Sequence, residues 1–152
     1  MVFKLSDLSA VLKFQKLPPD RVSYVKKRVA LSAVSRLSRR SPVLTGRYRA
    51  SFNCSVNGID FNVAAPAPKE YVKEKKVFYQ YDETKAEKQL QGVVLQVDDD
   101  IFVSNSLPYA EALENGHSRQ APQGIFRTVI PEVKEDIKLY AKIAANKDGG
   151  LK

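Results

Sequence analysis

The sequence predicts an α+β fold: a long N-terminal helix, a small mainly antiparallel β-sheet, a short helix after Pro108 and a C-terminal helix. Three observations predict it. Val22, Val25, Val29, Ala33 and Leu37 recur in steps of three and four, which makes one face of a helix apolar. Ala50, Phe52, Cys54 and Val56 alternate with Ser51, Asn53 and Ser55, the period of a half-buried strand. After Pro131, residues Val133, Ile137, Tyr140, Ala141 and Ala144 return to helical spacing. The 152 residues suit one domain, taken as 1–147, with 148–152 as a flexible tail.

In chain order, Phe3, Leu5, Leu8, Val11, Leu12 and Phe14 form the apolar set of a short amphipathic helix over 3–14, which Leu17-Pro18-Pro19 breaks. Asp20 is the expected N-cap of the long helix, which runs to about residue 39 and spans roughly 30 Å at 1.5 Å per residue. Ser41-Pro42 ends it, because a residue before proline leaves the α region. Thr45-Gly46 makes the next turn, with Gly46 supplying a backbone angle that other residues resist. The strand over 49–56 then reaches Asn57-Gly58, a strong hairpin signal, and Ile59, Phe61 and Val63 begin the return strand.

Residues 64–91 open with Pro66 and Pro68 and continue with six lysines and five acids, so charge nearly cancels. Val77, Tyr79 and Tyr81 alternate with Phe78 and Gln80, consistent with an extended arm or insertion; the alternative is a stacking platform for single-stranded nucleic acid. A strand over 92–97, a turn at Asp98-Asp99-Asp100 and a strand over 101–104 follow. Asn105 and Ser106 end that strand. Pro108 opens a short helix carrying Tyr109, Ala110 and Leu113, and Gly116 stops it. A polar loop, 117–124, leads to a strand over 125–130 and then to the final helix.

Net charge is +8, unevenly spread. Residues 1–52 hold 12 Lys or Arg against Asp7 and Asp20, giving +10, while the remainder holds 13 basic and 15 acidic residues, giving −2. Such asymmetry marks a surface for nucleic acid or an acidic partner. On the long helix Lys26, Lys27, Arg28, Arg36, Arg39 and Arg40 are the candidates for that contact. The plainer reading is a solvated face, with the last arginines favouring the helix dipole.

Catalytic chemistry finds little here. His117 stands alone as a histidine and Cys54 as a cysteine, so neither a zinc site nor an intrachain disulfide can be assembled from them. Cys54 reads as a small strand residue. Glu111 and Glu114 lie three apart without any sign of a sugar cleft, and Ser118 lacks a nucleophile elbow. The three aspartates miss the calcium-loop spacing. No enzyme activity, metal or cofactor is expected. No apolar run approaches the ~20 residues of a membrane span, and the first residues are too polar for a signal sequence, so synthesis is expected in the cytoplasm.

Two stretches carry a resemblance. Asn105-Ser106-Leu107-Pro108-Tyr109-Ala110, then Leu113-Glu114-Asn115-Gly116, then Ser118-Arg119-Gln120-Ala121-Pro122-Gln123-Gly124, is similar to the neck and tail-completion proteins of long-tailed bacteriophages. Pro42-Val43-Leu44-Thr45-Gly46-Arg47-Tyr48-Arg49 resembles the family's second hallmark, a turn followed by a strand. The resemblance spans about 30–143 in outline and is specific in 41–52 and 105–124. It implies a structural virion protein that assembles with itself, most often as a hexameric ring. The ring would lie between the head-closure or connector protein and the tail terminator or tail tube, completing the tail for head–tail joining around a channel that passes DNA. Two alternatives stand beside it: a tail terminator capping the tube, and a basic DNA-binding protein using helix 20–39.

Overall fold

The computed structural model describes residues 1–5 and 16–146. Strand β1 (Val2–Lys4) is followed by helix α1 (Pro19–Arg40), the short helix α2 (Arg47–Ala50) and strand β2 (Asn53–Val56). Short helices α3 (Lys69–Lys73) and α4 (Lys85–Leu90) precede strand β3 (Ile101–Ser104), the short helix α5 (Ala110–Glu114) and the final helix α6 (Phe126–Ala145). The class is α+β, as the periodicities predict.

The predicted apolar face of α1 is the centre of the core: Val25, Val29, Ala33 and Leu37 have no exposed surface. The helix opens with Pro19 at its first position, where a missing N–H is harmless. Pro18 is therefore the N-cap and Asp20 lies in the first turn, where a carboxylate suits the dipole but caps nothing. Ser41, in extended conformation, ends the helix as expected. α1 lies antiparallel to α6: Arg21 Nη1 donates to Ala144 O at 2.7 Å near one end, and Arg40 Nη1 donates to Thr128 O at 2.7 Å near the other.

The sheet has the order β1-β3-β2, and both pairings are antiparallel. Val103 sits opposite Phe3 on one side and Cys54 on the other. β3 has a partner on each edge, so residues 92–97 cannot pair with it, and the expected strand there is a loop instead. Leu95 is buried, and its N–H donates to Ser23 Oγ at 3.1 Å. The expected helix over 3–14 is contradicted at its start, where Phe3 and Lys4 belong to β1; residues 6–14 lie outside the described residues.

Three further expectations are corrected. Residues 47–50 form α2 rather than the start of a strand, with Ala50 N–H donating to Gly46 O. Asn57 takes a positive φ of 58° in a turn, but 59–63 is not a return strand. Phe61 is 70% exposed, so its alternating apolar pattern buries too little to reward pairing; Asn53 Nδ2 reaches Asn62 O, and the β2 edge is closed by Gln89 Oε1 accepting from Cys54 N–H. Residues 126–130 are helical, not a strand, with Ile125 as the N-cap. Phe126, Val129 and Val133 keep helical spacing into the core, and Pro131 is accommodated on the exposed side of the second turn.

Candidate functional site

The two stretches that carry the resemblance meet in space. The Thr45-Gly46 turn and the 117–124 loop are joined by Gln120, whose Oε1 accepts from Val43 N–H at 3.0 Å and whose Nε2 donates to Val43 O at 3.4 Å. Between them runs a half-open groove of about 520 Å³, with Val43, Leu44, Val72, Tyr109 and Leu113 among its apolar walls. Arg47, His117 and Arg119 bring polar groups to the same groove.

The groove's backbone is fixed by close approaches. Gly46 has φ +81°, and a Cβ there would stand 2.2 Å from Tyr79 O. That approach exists because Phe78 and Tyr79 N–H both donate to Thr45 O, at 3.0 and 2.9 Å. The segment read as an extended arm thus folds over the turn and contains α3 and α4. Its last part is core: Ala86 and Leu90 of α4 are buried. Arg47 Nε donates to Ala64 O at 2.8 Å and holds the entry to this segment.

Asn105 ties three parts of the chain together. It is fully buried; its Nδ2 donates to Tyr48 O at 2.9 Å, and its N–H donates to Met1 O at 2.9 Å. Its carbonyl accepts from the Met1 amino group at 2.9 Å. Leu107 and Ala110 are buried behind it, while Pro108 is exposed. Tyr109 is 38% exposed and packs 6.2 Å from the Tyr48 ring, which meets Phe52 edge-on at 5.3 Å. The Tyr48 hydroxyl is buried without a hydrogen-bond partner, and burial, helped by Glu114, raises its pKa.

Glu114 is the structural key to the loop. It is 5% exposed, and its carboxylate accepts the N–H groups of Ile125, Phe126 and Arg127 at 2.8, 2.9 and 2.8 Å. A negative charge on three unpaired N–H groups is what a helix N-terminus favours, and this is why 125–130 begins a helix. Gly124, at φ +83°, leaves the space this requires, since a Cβ would stand 2.6 Å from Glu114 O. Gly116 also has a positive φ, just beyond the end of α5. Ser118 Oγ accepts from Gln120 N–H at 3.2 Å, Ala121 is buried, and Pro122 is exposed.

The cations expected to meet DNA or an acidic partner have divergent fates. Lys26 is fully buried and donates from Nζ to Val97 O at 2.8 Å and Asp99 O at 2.5 Å, so it does not reach a phosphate. Arg36 pairs with Asp136 at 3.0 Å and Glu132 at 2.5 Å, and Arg40 also pairs with Glu132. Arg28 stacks over Tyr140 at 5.5 Å. Lys27 is half-buried, and Arg39 is exposed without a hydrogen bond or ion pair among the described residues. Three of the six candidate cations on α1, Lys26, Arg36 and Arg40, are thus engaged by acceptors inside the chain. That seam of Arg36, Arg40, Glu132 and Asp136 links residues about a hundred apart, which no local pattern announces.

Among the described residues no group of His, Cys, Asp and Glu has the makings of a metal site. His117 Nδ1 lies 2.8 Å from Ala112 O at the end of α5. Asp99 accepts from Asn57 Nδ2 at 2.7 Å, and Asp100 pairs with Lys4 at 2.8 Å, so these two members of the acidic triplet are engaged in local structure. No helix of the described residues is long and apolar enough to cross a membrane. Comparison of the chain with protein-family models, curated proteins and solved structures found no match.

Proposed function

We propose that the chain is a structural subunit of a phage neck, a ring-forming protein that completes the tail and joins it to the head. The observation that carries the reading is the convergence of the two hallmark stretches. Thr45-Gly46 and 117–124 lie some seventy residues apart in sequence, yet they share one groove and are bonded through Gln120 and Val43. Local folding alone gives no reason to expose Leu44 by 49% and Tyr109 by 38% along one groove. Exposed apolar side chains on a rigidly held backbone are what a protein–protein contact requires. In a ring, that contact would be heterologous, the groove of one subunit meeting a different face of the next.

The neck reading includes partners on both sides: a connector or head-closure protein toward the head, and a terminator or tube protein toward the tail. The test is genetic and visual. A nonsense mutation in the gene, in its own phage, is expected to give filled heads and tails that fail to join under the electron microscope. The protein is expected in purified virions by mass spectrometry. Normal yields of infectious tailed particles without the protein would overturn the proposal.

A further inference from the structure

A second concavity lies on the far side of Gln120, between the C-terminal turn of α1 and residues 120–124. It has a volume of about 520 Å³, and its walls include Arg39, Arg40, Arg49, Gln120, Pro122 and Thr128. No acidic side chain lines it. Arg40 is neutralised by Glu132, but the other two guanidiniums are not. Arg39 has no hydrogen bond or ion pair among the described residues. Arg49 is held by one bond, from Nη2 to Ser41 O at 3.2 Å, while its Nε is buried with no partner. The bond to Ser41 fixes the Arg49 guanidinium at the cleft wall.

We propose that this cleft is a carboxylate-docking site for an acidic segment of a protein partner, with Arg39 and Arg49 as its anchors. Guanidinium groups bind carboxylates through paired N–H donors in a fixed plane, and Arg49 is already positioned for it. A DNA duplex presents phosphates on a wide convex surface and needs a row of cations to follow them. On α1, Lys26 is buried and Arg36 and Arg40 are paired with carboxylates, which leaves Lys27, Arg28 and Arg39 of the six candidate cations for a duplex. A concave site of this volume instead fits a few side chains. Ala121, the Pro122 ring and the loop backbone give the stems of acidic residues an apolar surface to lie on. The inference is independent of the neck-ring reading: the cleft can take an acidic segment whatever the particle, and the neck protein can join its ring without it.

The test uses the full chain and a fluorescein-labelled eight-residue peptide of alternating Glu and Ala, followed by anisotropy at low salt. The Gln–Ala counterpart and a labelled twenty-base-pair duplex serve as comparisons. Saturable binding of the Glu peptide, with none of the Gln peptide, is expected. Arg39→Glu is expected to weaken it by about tenfold or more, the loss of one charged contact. Arg39 is exposed and contacts no partner, so this variant is expected to lose only the favourable charge at the helix end, a few degrees in Tm, and to stay folded. Lys69→Glu makes the same change in net charge on α3, away from the cleft, and is expected to bind like the parent. Arg49→Lys keeps the charge but loses the planar fork and is expected to bind more weakly. Absence of saturable peptide binding, equal loss in Lys69→Glu and Arg39→Glu, or duplex binding lost in Arg39→Glu without peptide binding would each overturn the proposal.

Discussion

The Thr45-Gly46 turn offers a measurement in which two physical contributions separate. Gly46 and Gly92 both have positive φ, +81° and +73°. A Cβ at Gly92 would meet nothing within 4 Å, while at Gly46 it would stand 2.2 Å from Tyr79 O and 3.1 Å from Tyr79 C. Gly92→Ala therefore reports the backbone contribution alone, about 1 kcal/mol. Gly46→Ala adds the displacement of residues 78 and 79, whose two N–H bonds to Thr45 O must lengthen or break. At about 1 kcal/mol for each bond, the total is about 3 kcal/mol. For a chain of this size each kcal/mol moves Tm by roughly 2–4 °C, so Gly92→Ala is expected to lose a few degrees and Gly46→Ala about three times as many. Circular dichroism melts and urea titrations of both variants provide the comparison. Equal losses in the two, or an unchanged Gly46→Ala, would refute the claim that the chain at Tyr79 is held against the turn.

Glu114→Ala is expected to destabilise the chain by about 3–5 kcal/mol, since three N–H groups at the start of α6, two of them in buried bonds, lose a charged acceptor, and hydrogen exchange is expected to rise first at residues 125–130. Lys26→Met is expected to cost about 2–3 kcal/mol by orphaning the carbonyls of Val97 and Asp99, whereas a phosphate-binding lysine would be neutral to stability; urea titration reads the difference. The bond from Arg40 holds the Glu132 carboxyl below its ordinary range. A lowered folded-state pKa contributes stability above the ordinary value of 4.5 and loses it as pH falls through the folded-state value, so the stability gap between parent and Glu132→Gln is expected to shrink from pH 7 to pH 3. Burial pushes the Cys54 thiol up to about 12, so an aromatic disulfide reagent is expected to label it only at the rate of unfolding.

Much of the fold was legible because burial follows period. The α1 face from Val22 to Leu37, the strand at Ile101–Ser104 and the end of α1 at Ser41-Pro42 all follow from local spacing and proline chemistry. Three of the failures share a cause: the conformation of the segment is decided away from the segment itself. Ile125–Ile130 has the composition of a strand, but the carboxylate of Glu114, eleven residues earlier, supplies acceptors that only a helix N-terminus needs. Ile59, Phe61 and Val63 alternate like a strand, but nothing covers them and β2 is closed by Gln89. Val2–Lys4 joins the sheet because β3 has an open edge there, a fact written a hundred residues downstream.

The candidate site divides along the same line. The wording of the two hallmark stretches could be read from sequence, but their contact could not, since the Gln120–Val43 pair spans 77 positions. Charge was the more misleading signal. A count of +10 in the first 52 residues treats every cation as available, yet availability depends on what the fold places opposite each one. Antiparallel packing of α1 on α6 sets Glu132 and Asp136 against Arg36 and Arg40, and the turn after Leu95 sets two carbonyls against Lys26. What remains for a partner is the charge the chain could not satisfy itself, and at and beyond the end of α1 that remainder includes Arg39 and Arg49, both lining the same cleft. Surface electrostatics in such a chain is therefore a difference between two patterns, one along the sequence and one across the packed helices, and only the difference meets a ligand.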